Sequence, residues 1–104
     1  MLVAIYEFLG TMLLTFSVII SGGNLIAISL TFFCILQILG PVSGAHVNPA
    51  VSLGVYLKEK KNENRDVLSK MMIGQFLGAI AGAIIAMNAL ASNSETWRIA
   101  NPNS

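Results

Sequence analysis

Sorted into apolar and polar positions, the chain gives three long apolar runs and one short one. Residues 2–21, LVAIYEFLGTMLLTFSVIIS, are apolar almost throughout. A helix needs about 20 such residues to cross a bilayer. Ser21-Gly22-Gly23-Asn24 follows as an uncharged turn signal. The second run, over about 24–40, starts with Asn24 as N-cap and is predicted to stop at Gly40-Pro41, which makes it a short crossing. The third, over about 67–90, is VLSKMMIGQFLGAIAGAIIAMNAL, with Gly74, Gly78 and Gly82 at four-residue spacing. Such a stripe bares one helix face for close packing on a neighbour.

The short run lies between the second and third. Val42 to Val47 reads as an extended loop with Gly and Ser, and Asn48-Pro49 as a helix start, Asn capping and Pro at the first turn. Lys58, Glu59, Lys60 and Lys61 end the apolar pattern near Leu57. The helix is then about 15 Å long at 1.5 Å per residue. That is about half of a 30 Å hydrocarbon layer. A helix stub with irregular backbone at membrane depth is tolerated only beside protein or water, so it predicts a polar pathway. The expected fold is an all-α membrane protein with three transmembrane helices and one re-entrant half-helix, the loop and stub covering 41–57.

Composition agrees with a lipid environment. Of 104 residues, 55% are hydrophobic and 11% charged, and the mean hydropathy is +0.73. The net charge of +1 offers no field for nucleic acid. Its distribution matters more than its size. Lys58, Lys60, Lys61, Arg65 and Lys70 lie on one side of the third span and Arg98 on the other. Positive residues gather in the cytoplasm, so the half-helix loop and the amino terminus are expected there and the carboxyl terminus outside. The segment KEKKNENRD, Lys58 to Asp66, is a solvated connection, and 91–104 reads as a polar exterior tail or the start of a longer loop. A cleaved signal peptide is not expected at the amino terminus, because no positive residue precedes the first run and Glu7 interrupts it. Cys34 is alone, which excludes a disulfide framework and suits a small buried hydrophobe.

Three motifs occur in a telling order: Glu7-Phe8-Leu9-Gly10-Thr11 in the first run, GPVSGAHVNPAVS from Gly40 to Ser52, and GQFLGAIAGA from Gly74 to Ala83. In this order they resemble the amino-terminal half of an aquaporin or glycerol facilitator, the major intrinsic protein family, over nearly the whole chain. The resemblance implies one repeat of an inverted-repeat fold. Two such repeats, each with a half-helix, bring two Asn-Pro-Ala triplets together in mid-membrane. It also implies a second half to complete the pore, as a continuing or separate chain, oligomers as partners, and water or small neutral solutes as cargo.

Within that picture Asn48, Pro49 and Ala50 line the pore. The Asn48 side-chain oxygen would accept from the N–H of Ala50 or Val51 and leave its NH2 for passing water, with an ordinary helix cap as the lesser alternative. The half-helix end adds about half a positive charge, which repels cations. The carbonyls of Gly44, Ala45 and His46 should form acceptors along the cytoplasmic vestibule. His46 itself reads as a structural residue that holds the loop. There is no second His, and a metal site is not expected.

Glu7 needs partners within a span. The resemblance makes it an acceptor for loop N–H groups, and the alternative is a carboxylate near the helix end that reaches interfacial water. Gln75 would likewise brace the loop or serve interhelical packing. Ile28 occupies the second-helix filter position that carries an aromatic or His in many water-selective members, which predicts a less polar filter here. Catalytic residues and cofactors are not expected, since no nucleophile and base or paired carboxylates fall in one polar pocket. The remaining alternatives are a pore made by two oppositely inserted copies, which the lysine and arginine bias opposes, and a truncated membrane protein that conducts nothing.

Overall fold

The computed structural model describes residues 2–59 and 64–101. The expectations for Lys60 and Lys61 and for the end of the tail, 102–104, lie outside the described residues. Four helices follow one another: α1 (Leu2–Ile20), α2 (Leu25–Ser43), α3 (Pro49–Glu59) and α4 (Asn64–Ala100). Three of them, α1, α2 and the part of α4 from Arg65 to Ala100, are long and apolar enough to cross a membrane. The fold is all-α, with α1 packed between α2 and α4 and with α3 packed on α4.

The turn after α1 caps the helix end. Gly23 N–H reaches back to Val18 O at 3.0 Å and Gly22 N–H to Ile19 O at 3.2 Å, with both glycines at positive φ. This pattern satisfies the last carbonyls of a helix, and glycine adopts it without a Cβ penalty. Asn24 then caps α2, its Oδ1 accepting the Ala27 N–H at 2.9 Å.

Helices α3 and α4 reach into the stretch 58–66 expected to be a solvated connection, to Glu59 and from Asn64, and two further boundaries differ more widely from the sequence expectation. The second helix does not stop at Gly40-Pro41. It runs through Pro41 to Ser43 and ends where Gly44, at φ 86°, donates to Gly40 O at 3.0 Å. A proline this close to the end removes only the bond to the Gln37 carbonyl, and the extra turn carries Ser43 to Glu7. The third long helix does not end at Leu90 in a polar tail. It continues to Ala100, for 37 residues in all. No Gly or Pro interrupts the sequence from Ala83 to Asn101. The polar residues after Leu90 report solvation of side chains, while the backbone has no reason to leave the helix until Pro102 disfavours helical geometry at the residue before it. At 1.5 Å per residue α4 is about 55 Å long, well over a hydrocarbon layer.

The α1–α4 contact is a ladder of missing side chains. A Cβ on Gly74 would lie 2.5 Å from the carbonyl oxygen of Ala4, and Cβ atoms on Gly78 and Gly82 would collide with the carbonyl oxygens of Phe8 and Met12. Both sets advance by four residues in the same direction, so the helices run parallel with their backbones touching. On the other side of α1, Ile35 and Leu39 of α2 enclose Ala45 and Val47 of the loop, with Tyr6 and Leu14 against them. Cys34, expected to be buried, is exposed on α2. Its neighbour Ile35 takes the inward face, and adjacent helical positions point about 100° apart.

Candidate functional site

The loop between α2 and α3 is not the extended segment expected from its composition. Gly44, Ala45 and Val47 have φ of 86°, 51° and 44°. Positive φ is uncommon for any residue with a Cβ and rare for a β-branched one. A conformation of this kind persists when its surroundings over-determine it, and here the surroundings are specific.

Val47 N–H donates to Glu7 Oε1 at 2.8 Å. Its side chain fills the space that Gly10 leaves open, since a Cβ on Gly10 would lie 2.7 Å from Val47 Cγ1 and 2.6 Å from Leu39 Cδ2. Ala45 N–H donates to Ser43 Oγ at 3.1 Å, and Ser43 Oγ in turn donates to Glu7 Oε2 at 2.6 Å. The helix turn gained beyond Pro41 thus supplies one ligand to the carboxylate. Glu7 is completely buried. A buried carboxylate survives only with its oxygens occupied.

Gln75 provides the link to α3 and α4. Its Nε2 donates to Glu7 Oε1 at 2.7 Å and to Ser52 Oγ at 2.8 Å. Ser52, the buried position on α3, also meets His46 Nδ1 at 3.0 Å. So one carboxylate on α1 gathers a hydroxyl from α2, a backbone amide from the loop and an amide from α4, and through the last it reaches α3 and His46.

At the start of α3, Asn48 Oδ1 accepts the Ala50 N–H at 2.9 Å, and its carbonyl accepts from Val51 and Ser52 at 3.1 and 3.2 Å. The cap consumes the amide oxygen and leaves the NH2 as a donor on an exposed side chain. The helix end adds partial positive charge in the same place.

Of the residues singled out from the sequence, Glu7, Gln75, His46 and Asn48 meet around this loop. Gly44 and Ala50 are exposed, Pro49 is half-buried, and the Ala45 side chain is turned into the core. Ile28 is not brought to them. It is half-buried on α2, fifteen residues before Ser43, about 22 Å away along the helix. Ser43, Ser52 and Gly10 received no role from the sequence, although both serines frame the motif and a hydroxyl in an apolar stretch must find a partner. Among the described residues, no three His, Cys, Asp or Glu side chains are grouped to hold a metal.

The sequence has known relatives. Residues 2–103 match the model of the family described as "Major intrinsic protein". The chain is 35% identical over 94 residues to glycerol uptake facilitator protein-like 6 of Lactiplantibacillus plantarum, covering 83% of this chain and 41% of that protein. It is 39% identical over 95 residues to an aquaglyceroporin of Rhizobium meliloti, covering 77% of this chain and 40% of the relative. A probable aquaporin of Oryza sativa subsp. japonica is 47% identical over 53 residues, which are 51% of this chain and 18% of its own length. The chain therefore spans less than half the length of these curated relatives. No solved structure matches it significantly. With three apolar helices long enough to span, a capped short helix seated beside them and a family match over nearly its whole length, the chain belongs to the major intrinsic protein family.

Proposed function

We propose that this chain is half of a passive transmembrane channel for water and small uncharged solutes, with a second half completing the pore. Relatives named as aquaporins and a glycerol uptake facilitator support the class of cargo. The observation that carries the reading is the seat of Val47 against Gly10. Gly10 lies about 12 Å along α1 from Leu2, close to the middle of a hydrocarbon layer about 30 Å thick. Asn48 and Pro49 follow directly, so the electropositive end of α3 meets the pathway at mid-depth. There the Asn48 NH2 and the helix end favour an incoming oxygen over a cation.

Asn48, Pro49 and Ala50 line the pathway in this reading, with the carbonyls of Gly44, Ala45 and His46 on the cytoplasmic approach. Ile28 lies towards the opposite mouth, where an apolar side chain admits polyols as well as water. The amino terminus and the connection after α3 are cytoplasmic and the end of α4 is exterior, as the lysine and arginine distribution favours. No reaction is assigned. The second half follows in the same gene product or arrives as a partner chain, and completed pores associate as oligomers.

The test is stopped-flow swelling of vesicles carrying the chain with its completing half. Water and glycerol should enter faster than in empty vesicles. Asn48→Asp places a negative charge where the pathway offers a donor and should lower water flux at least tenfold. Flux equal to that of empty vesicles, or unchanged by Asn48→Asp, overturns the proposal. Labelling of Ser104→Cys in a Cys34→Ser background should occur from the exterior only; equal labelling from both faces would favour a pore of two oppositely inserted copies.

A further inference from the structure

The hydrogen bonds between Glu7 and His46 have one consistent direction, and a backbone amide sets it. Val47 N–H is always a donor and lies 2.8 Å from Glu7 Oε1, so that oxygen accepts. The Gln75 atom 2.7 Å from the same oxygen must then be the amide nitrogen, because two acceptors repel at that distance. Gln75 Nε2 carries two hydrogens. One goes to Glu7 and the other to Ser52 Oγ at 2.8 Å. Ser52 Oγ has now accepted and still holds its own hydroxyl hydrogen. His46 Nδ1, 3.0 Å away, is the acceptor that takes it.

A ring nitrogen that accepts carries no hydrogen, so the neutral imidazole keeps its proton on Nε2. In the opposite tautomer, Nδ1–H would point at a hydroxyl already receiving from Gln75. Ser52 is only 3% exposed, and its own hydrogen would then lose the His46 nitrogen as its acceptor.

We propose that Gln75 and Ser52 are positioning residues that lock His46 as the Nε2–H tautomer, so that the loop presents a donor beside Gly44. A Cβ on Gly44 would lie 3.2 Å from His46 Nε2, and the bare glycine leaves that edge of the ring open. His46 also lines an open cavity of about 210 Å³ with Ser43, Ser52 and Tyr56. Together with the Asn48 NH2, two residues on, the ring makes a pair of donors along the loop. Such a pair selects neutral solutes that carry oxygen acceptors, water and polyols among them. The tautomer itself rests on geometry alone; its action on a solute rests on the channel reading.

The chain has one histidine, which makes the test clean. Nitrogen-15 labelling of histidine, in the chain embedded in lipid bilayers at alkaline pH, should give one pyrrole-type signal at Nε2 and one pyridine-type signal at Nδ1. Ser52→Ala should turn this into a mixture of both tautomers, and Ser52→Thr should restore the single pattern. A hydrogen on Nδ1 in the unsubstituted chain overturns the proposal, as does a pure Nε2–H pattern in Ser52→Ala. The unsubstituted spectrum decides even if Ser52→Ala does not fold. Water flux measured beside the spectra separates the two readings, since a locked ring in vesicles that conduct nothing upholds the lock and counts against the channel.

Discussion

The two faces of α1 are held by opposite means. Toward α4 the contact is made by what is absent, three glycines that let backbone meet backbone at Ala4, Phe8 and Met12. Toward α2 and the loop the apolar packing of Ile35, Leu39 and Val47 is joined by one polar side chain, Glu7, which takes donors from Ser43 and Val47 there and a third from Gln75 of α4. The first contact is non-directional and tolerates any group small enough. The second is directional, and each member has an assigned donor or acceptor role. Shape sets how close the helices lie, and hydrogen bonding sets which conformation the loop takes.

Removing Glu7 should break this contrast most severely. Glu7→Ala orphans Val47 N–H and one hydrogen of the Gln75 amide, each at a cost of about 1–3 kcal/mol when buried, and leaves the Ser43 hydroxyl only its long bond to Leu39 O. The loop then loses the restraint that keeps Val47 at positive φ. Thermal unfolding in detergent should show a large drop in stability, and vesicle swelling should fall to the background rate.

Gly78→Ala attacks the other face. Its Cβ would meet the Phe8 carbonyl, and overpacking of that kind costs about 1–3 kcal/mol. Gly54→Ala, on α3 with open space around its Cβ, should instead stabilise by roughly up to 1 kcal/mol through helix propensity. Melting temperatures that move in the same direction for both variants would contradict the close-packed seam. The smallest effect belongs to a site that touches neither face. Asn24→Ala removes the cap of α2 and should cost about 1 kcal/mol, with water flux unchanged.

Much of the fold was open to sequence reasoning because the features that set it are local. Apolar runs, a glycine stripe and an Asn-Pro helix start are each contained within one continuous stretch of chain. The end of α2 was not legible, because Gly40-Pro41 is a strong local stop and the partner that rewards an extra turn, Glu7, is 36 positions from Ser43. The length of α4 was missed because polar composition marks solvation rather than backbone conformation. At the site, the cost of a carboxylate in an apolar span announces from Glu7 alone that partners exist. Which groups they are depends on contacts across 36, 40 and 68 positions, and no periodicity encodes those. The positive φ of Val47 was equally hidden, since what holds it, the Glu7 carboxylate and the hollow at Gly10, lies on another helix.

Gln75 follows Gly74 directly, and that adjacency gives the glycine stripe a second task. Moving α4 out of register would carry Gly74, Gly78 and Gly82 away from the Ala4, Phe8 and Met12 carbonyls and press side chains against the α1 backbone, so the stripe holds α4 at its present setting. In that setting the amide arrives level with the carboxylate without any search of its own. The bare face of one helix thereby calibrates the depth at which the buried amide is delivered.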